Sequence, residues 1–88
     1  MATAEREITV AVHCGVHGRV AADLARIARQ SGTRVAIRVG DTDIECSSIL
    51  EILSLGLSRG YRIRIRVDGR AQEQILDQVC ALLTGEAT

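Results

Sequence analysis

The strictest constraint on the fold is the alternation between residues 61 and 67. The stretch reads Tyr-Arg-Ile-Arg-Ile-Arg-Val, with apolar side chains at the odd positions and arginines at the even ones. A period of two places the apolar residues on one face of a β-strand and the arginines on the other. This pattern predicts an antiparallel sheet with one face packed on a core and the other in water.

Two further kinds of periodicity complete the fold prediction. Residues 8–12 and 35–39 alternate like strands, and residues 42–45 form a weaker third strand. Apolar residues recur at helical spacing after Gly18 and again in 71–83, and Ser48 with Glu51 has the capping-box spacing of a short helix. The order βαββαβα predicts an α+β open-faced β-sandwich: a four-stranded antiparallel sheet with three helices on one face.

Length and composition indicate one domain. The 88 residues suit a single domain spanning 1–88, with an ordered core of about residues 7–83. Only 1% of the residues are aromatic, so the core must be aliphatic. The 11 basic and 11 acidic residues balance, which gives no bulk attraction to nucleic acid or to a membrane surface.

The compartment is expected to be the cytoplasm. Three cysteines, Cys14, Cys46 and Cys80, do not suggest a disulfide framework. No signal peptide is evident in the first residues, and no apolar run approaches the length needed to insert into a bilayer.

The chemistry is predicted at the junction between the first strand and the first helix. His17 and Arg19 lie there, where the free N–H groups of a helix start favour an anion. A neutral imidazole is a nucleophile, and a guanidinium matches phosphoryl oxygens with its planar fork. Phosphoryl transfer needs these parts and no metal on the accepting side. The alternative for His17 is a surface residue at a helix start.

Other polar clusters favour structural interpretations. A transition-metal site is one interpretation of four residues, His13, Cys14, His17 and Cys46, because Cys14 and His17 have a plausible ligand spacing. The preferred interpretation is a small, half-buried cysteine, and we predict no metal. The predicted arginine-rich face of the sheet has no aromatic residues, which an RNA-binding sheet would present for base stacking. Glu5 and Glu7 are instead expected to pair with Arg38, Arg62, Arg64 and Arg66.

Two segments resemble the histidine-containing phosphocarrier protein (HPr) family of the phosphoenolpyruvate-dependent phosphotransferase system. Residues 15–21 read Gly-Val-His-Gly-Arg-Val-Ala, where the family signature is Gly-Leu-His-x-Arg-Pro-Ala. Residues 48–60 begin with a serine at a short helix and continue through Leu-Gly-Leu to a glycine, as in the family's second signature. The family pattern covers about residues 7–83 without a gap.

The resemblance implies a mechanism and partners. His17 would accept a phosphoryl group from phosphorylated enzyme I and pass it to a downstream sugar-specific or regulatory component, with Arg19 stabilising the group. The chain would be a carrier rather than a stand-alone enzyme, monomeric and without a cofactor. The rival is a non-transport regulatory module that acts through the Ser48 helix, where some bacteria use a serine kinase.

The resemblance also implies a docking surface on the first and short helices, at Val20, Ile49, Leu50 and Leu53. The chain departs from the family in having Val20 instead of proline. Glu51 is acidic where the family often has a basic or neutral residue.

Overall fold

A computed structural model describes residues 3–12 and 15–85. Its elements follow the predicted order: β1 (Thr3–Thr9), α1 (Gly18–Ser31), β2 (Arg34–Val39), β3 (Thr42–Glu45), α2 (Ile49–Ser54), β4 (Arg62–Asp68) and α3 (Gln72–Thr84). Among the described residues, none of the helices combines the length and apolar character that crossing a membrane requires.

The four strands form one antiparallel sheet in the order β1-β4-β2-β3. β4 lies in the centre and pairs with both β1 and β2, while β2 also pairs with β3. The alternation of β4 has the predicted consequence, because Ile63, Ile65 and Val67 are each at most 2% exposed. Apolar side chains of the helices cover this face, so the open-faced α+β sandwich is confirmed.

Local sequence signals account for the helix ends. Gly32 ends α1 in the left-handed region with φ of 69°, the conformation in which glycine commonly ends a helix. The Ser48 hydroxyl accepts a hydrogen bond from the Glu51 amide at 3.4 Å and so caps α2. Ala71 differs from its prediction: it is exposed, has φ of 54° and precedes α3 instead of joining its apolar stripe.

The first strand is the element whose predicted bounds were wrong. β1 begins at Thr3 and ends at Thr9, whereas the alternation pointed to residues 8–12. Val10 is fully buried beyond the end of the strand and exchanges two backbone hydrogen bonds with residues of the β4 side, Gly60 and Tyr61. The apolar pattern therefore reports burial beyond the strand as well as within it.

The uncovered face of the sheet carries exposed ion pairs, and the predicted pairing is confirmed for two of its four arginines. Arg66 instead pairs with Asp68, and Arg38 donates to the Gly40 carbonyl. A guanidinium nitrogen of Arg62 lies 2.8 Å from the Glu7 carboxylate, and one of Arg64 lies 3.7 Å from Glu5. Such exposed pairs contribute little stability, on the order of 0.2–1 kcal/mol each. Their main consequence is that these arginines already have anionic partners within the chain.

Candidate functional site

His17 is the N-cap of α1, and its side chain is exposed. Its backbone is extended, with φ of −110° and ψ of −172°, and its side chain makes no capping hydrogen bond. The His17 carbonyl accepts the first hydrogen bond of the helix, from Ala21 at 2.8 Å. The amides of Gly18, Arg19 and Val20 therefore precede the helical hydrogen-bond ladder.

The start of α1 suits an anion. Its first turn contains no acidic residue, so no carboxylate competes for the free amides or the positive end of the helix dipole. A Cβ placed on Gly18 would have no atom within 4 Å, which shows that the surface beside His17 is open. Arg19 is exposed and makes no ion pair or hydrogen bond with the other described residues.

The loop before His17 is locked to the segment that precedes β4. The Val16 amide donates to the Leu57 carbonyl at 2.9 Å, and Val16 is only 8% exposed. Gly15 has φ of 73°, and a Cβ there would stand 2.7 Å from the Leu57 carbonyl oxygen. Only glycine fits this position, because both the backbone conformation and the close approach exclude a side chain.

A second set of backbone hydrogen bonds joins the segment after β1 to α3. The amides of Ala11 and Val12 both donate to the Leu83 carbonyl, at 3.0 and 3.1 Å. The chain before His17 is thus hydrogen-bonded to α3 and to the segment that precedes β4. His13 and Cys14 lie outside the described residues.

The predicted docking residues divide by exposure. Leu50 is 78% exposed and Leu53 37% exposed on α2, whereas Ile49 is partly buried. Val20 is only 7% exposed and belongs to the core, because it lies on the buried side of the first turn of α1. Its side chain therefore offers almost no surface to a partner, and of the predicted docking residues mainly Leu50 and Leu53 are accessible.

Cys46 lies in the environment of a structural core cysteine. It is fully buried at the end of β3, where its amide donates to the Val35 carbonyl at 2.9 Å. Burial raises the pKa of the thiol to about 12, with smaller contributions from the negative charges of Asp43 and Glu45. Within 3–12 and 15–85, no group of three or more His, Cys, Asp or Glu side chains is arranged to hold a metal ion.

Sequence reasoning missed the contact of Gly15 with residues 57–59, which joins segments that are distant in the chain. No local periodicity encodes such a contact. The one available signal was glycine itself, which often marks a close approach of backbones.

Comparison with known proteins identifies the class. The sequence profile of the family described as "PTS HPr component phosphorylation site" matches residues 4–85. The phosphocarrier protein NPr of Shewanella violacea is 30% identical over 83 residues, which cover 94% of this chain and 91% of that protein. The chain belongs to the HPr family of the phosphotransferase system, which supports a phosphocarrier role.

Solved structures confirm the fold. The phosphocarrier protein HPr of Bacillus anthracis aligns with a TM-score of 0.87 at 24% identity, covering 94% of this chain and 99% of that one. The Bacillus subtilis catabolite repression containing protein Crh aligns with a TM-score of 0.76 at 20% identity, covering 94% and 95% of the two chains. The Crh structure is described as a dimer with a swapping domain.

Proposed function

We propose that this protein accepts a phosphoryl group on His17 from phosphorylated enzyme I and passes it to a downstream component of the phosphotransferase system. The observation that carries the proposal is the exposed imidazole at the N-cap of α1, which has no capping hydrogen bond to hold it. The position of Arg19 in the first turn and the family membership support it.

The transfer step balances without a cofactor. The lone pair of a ring nitrogen of His17 attacks the phosphorus of the phosphorylated donor, and a new P–N bond forms. The bond between the phosphorus and the donor side chain breaks, and its electron pair leaves with the donor side chain. The P–N bond of a phosphorylated imidazole is labile, so the group can leave His17 by the same kind of displacement.

The protein contributes charge stabilisation and positioning. The free amides at the start of α1 are placed to donate hydrogen bonds to equatorial phosphoryl oxygens, and Arg19 supplies a positive charge. The backbone hydrogen bond between Val16 and Leu57 holds the loop before His17, and the first hydrogen bond of α1 holds the chain after it. An exposed nucleophile on a backbone that is held on both sides can react with two protein partners in turn.

Enzyme I and phosphoenolpyruvate, followed by intact-mass measurement, test the proposal. The wild-type chain should gain one phosphoryl group that is labile in acid and stable in base. His17→Ala should gain none, and His13→Ala is the matched control because it removes the only other histidine. Phosphorylation of His17→Ala would show that another residue carries the group.

Arg19→Ala tests the division of work within the site. The variant should still accept the group, because the helix amides remain. A hydrogen bond to a charged group contributes about 1.5–3 kcal/mol, so transfer should slow roughly ten- to a hundredfold. A wild-type rate would show that the amides suffice and that Arg19 takes no part.

The alternative function is a regulatory binding module that acts through Ser48 and α2. Ser48 is partly buried, and its hydroxyl oxygen already caps the helix. Glu51 would repel a phosphate there, which disfavours phosphorylation by a serine kinase. A chain that binds a partner without accepting phosphate on His17 would support this alternative.

The exposed leucines of α2 are proposed as the partner surface. Leu50 and Leu53 stand out as large exposed apolar residues on the helix beside α1. We further propose that the chain acts as a cytoplasmic monomer, without inserting in a membrane or binding nucleic acid. Light scattering tests the monomer, for which the dimeric Crh structure is the contrasting example.

A further inference from the structure

Most arginines of this protein already have a partner within the chain. All 11 basic residues are arginine. Six lie within 4.0 Å of a carboxylate, and two more donate to backbone carbonyls. The remaining three arginines form no ion pair and no side-chain hydrogen bond with the residues that the structure describes. They are Arg19, Arg59 and Arg70.

Two of these three arginines belong to segments that adjoin His17. Arg19 is two residues beyond it, and Arg59 is in the segment that is packed against the loop before it. A Cβ at Gly15 would stand 3.3 Å from the Arg59 amide nitrogen, and Gly15 is itself two residues from His17. Two Cα–Cα steps of about 3.8 Å and the long arginine side chain bring Arg59 within range of a molecule that engages His17.

The third arginine provides a contrast. Arg70 follows the far end of β4, whereas Arg59 precedes its near end. The seven residues of the strand separate the two by about 20 Å at a rise of about 3.3 Å per residue. Both arginines are exposed, so they differ mainly in their distance from His17.

We infer that Arg59, together with Arg19, forms a basic docking patch that binds an acidic surface of the phosphoryl donor. The chain has no net charge, so its net charge does not attract an acidic partner. A local pair of uncompensated guanidiniums is then the feature that steers an acidic partner toward His17. The contact between Gly15 and residues 57–59 holds Arg59 in place for this role.

The inference rests on the proposed function, and steady-state transfer from phosphorylated enzyme I of the same organism tests it. Arg59→Gln should raise the KM for the donor about two- to fivefold, the range of one exposed charge pair, and leave kcat nearly unchanged. Its KM should also depend less on salt than that of the wild type, because one screened interaction is lost. Arg59→Lys keeps the charge and should recover most of the binding, and Arg70→Gln should match the wild type.

The outcomes separate the two proposals. Equal effects of Arg59→Gln and Arg70→Gln would show a general charge effect and overturn the docking role. An unchanged KM, or a loss confined to kcat, would overturn it as well, while acceptance by the wild type would leave the carrier function standing. A wild-type chain that accepts no phosphoryl group would overturn the carrier function and this inference together.

Discussion

Replacing Gly15 with alanine should loosen the loop that holds His17 without abolishing the fold. At φ of 73°, an alanine costs about 1–2 kcal/mol because its Cβ meets the following carbonyl. The new Cβ would also stand 2.7 Å from the Leu57 oxygen, a backbone atom that cannot rotate away. Relieving this contact requires the two segments to separate, which weakens the 2.9 Å hydrogen bond from Val16.

The chain offers a matched control for the backbone term. Gly32 has φ of 69°, and a Cβ there would have no atom within 4 Å. Gly32→Ala should therefore cost only the left-handed conformation, about 1–2 kcal/mol. Gly15→Ala should cost about 0.5–1.5 kcal/mol more, the net contribution of one hydrogen bond. Urea unfolding of both variants measures this difference.

Phosphoryl acceptance gives the functional readout. At a temperature where both variants are folded, Gly15→Ala should accept the group from enzyme I more slowly, because His17 is less firmly placed. Gly32→Ala should accept at the wild-type rate, since it lies at the other end of α1. Equal unfolding free energies and equal rates for the two variants would refute the argument that the Gly15 contact positions His17.

Two further predictions concern stability. Ser48→Ala should lower the free energy of unfolding by about 0.5–1 kcal/mol in urea, the low end for an N-cap, because the 3.4 Å hydrogen bond to Glu51 is long; no change would show that the hydroxyl does not cap α2. For Cys46, the raised pKa means that the folded protein disfavours the thiolate. Its contribution to the free energy of unfolding should be constant below the ordinary pKa of 9.0 and fall as the pH rises toward about 12. The fall should approach about 1.4 kcal/mol per pH unit and be absent from Cys46→Ala, whereas the same slope in the variant would assign it to other groups.

Local signals in the sequence predicted most of the fold. The alternation of β4 and the helix cap at Ser48 depend on residues close together in the chain, and the structure confirms both. The same reasoning placed His17 and Arg19 at the start of α1, where both are found exposed. Strand pattern and helix-end chemistry operate within a few residues, so a single sequence contains them.

The first strand shows where local reasoning ends. Arg6 occupies a position of β1 opposite the buried Ile65, which interrupts the apolar alternation and obscures the strand. The structure explains the arginine at this position by a 2.9 Å ion pair between Arg6 and Asp77 of α3. The hydrogen bond with Asp77 raises the Arg6 pKa, with a further contribution from Cys80. Such a contact depends on the packed helix, and no periodicity within β1 could have indicated it.

The valine that replaces the family's proline is explained by its position in the helix. A proline is favoured at a helix start because its ring fixes φ and because the missing N–H has no helical partner there. His17 is the N-cap, so Val20 is the third residue of α1 and also precedes the first helical hydrogen bond, from Ala21. Burial of the Val20 side chain, at 7% exposure, fixes this turn by packing where the family uses a ring. Unlike proline, Val20 also retains an amide, so the helix start that faces an incoming anion keeps one more donor than the family signature provides.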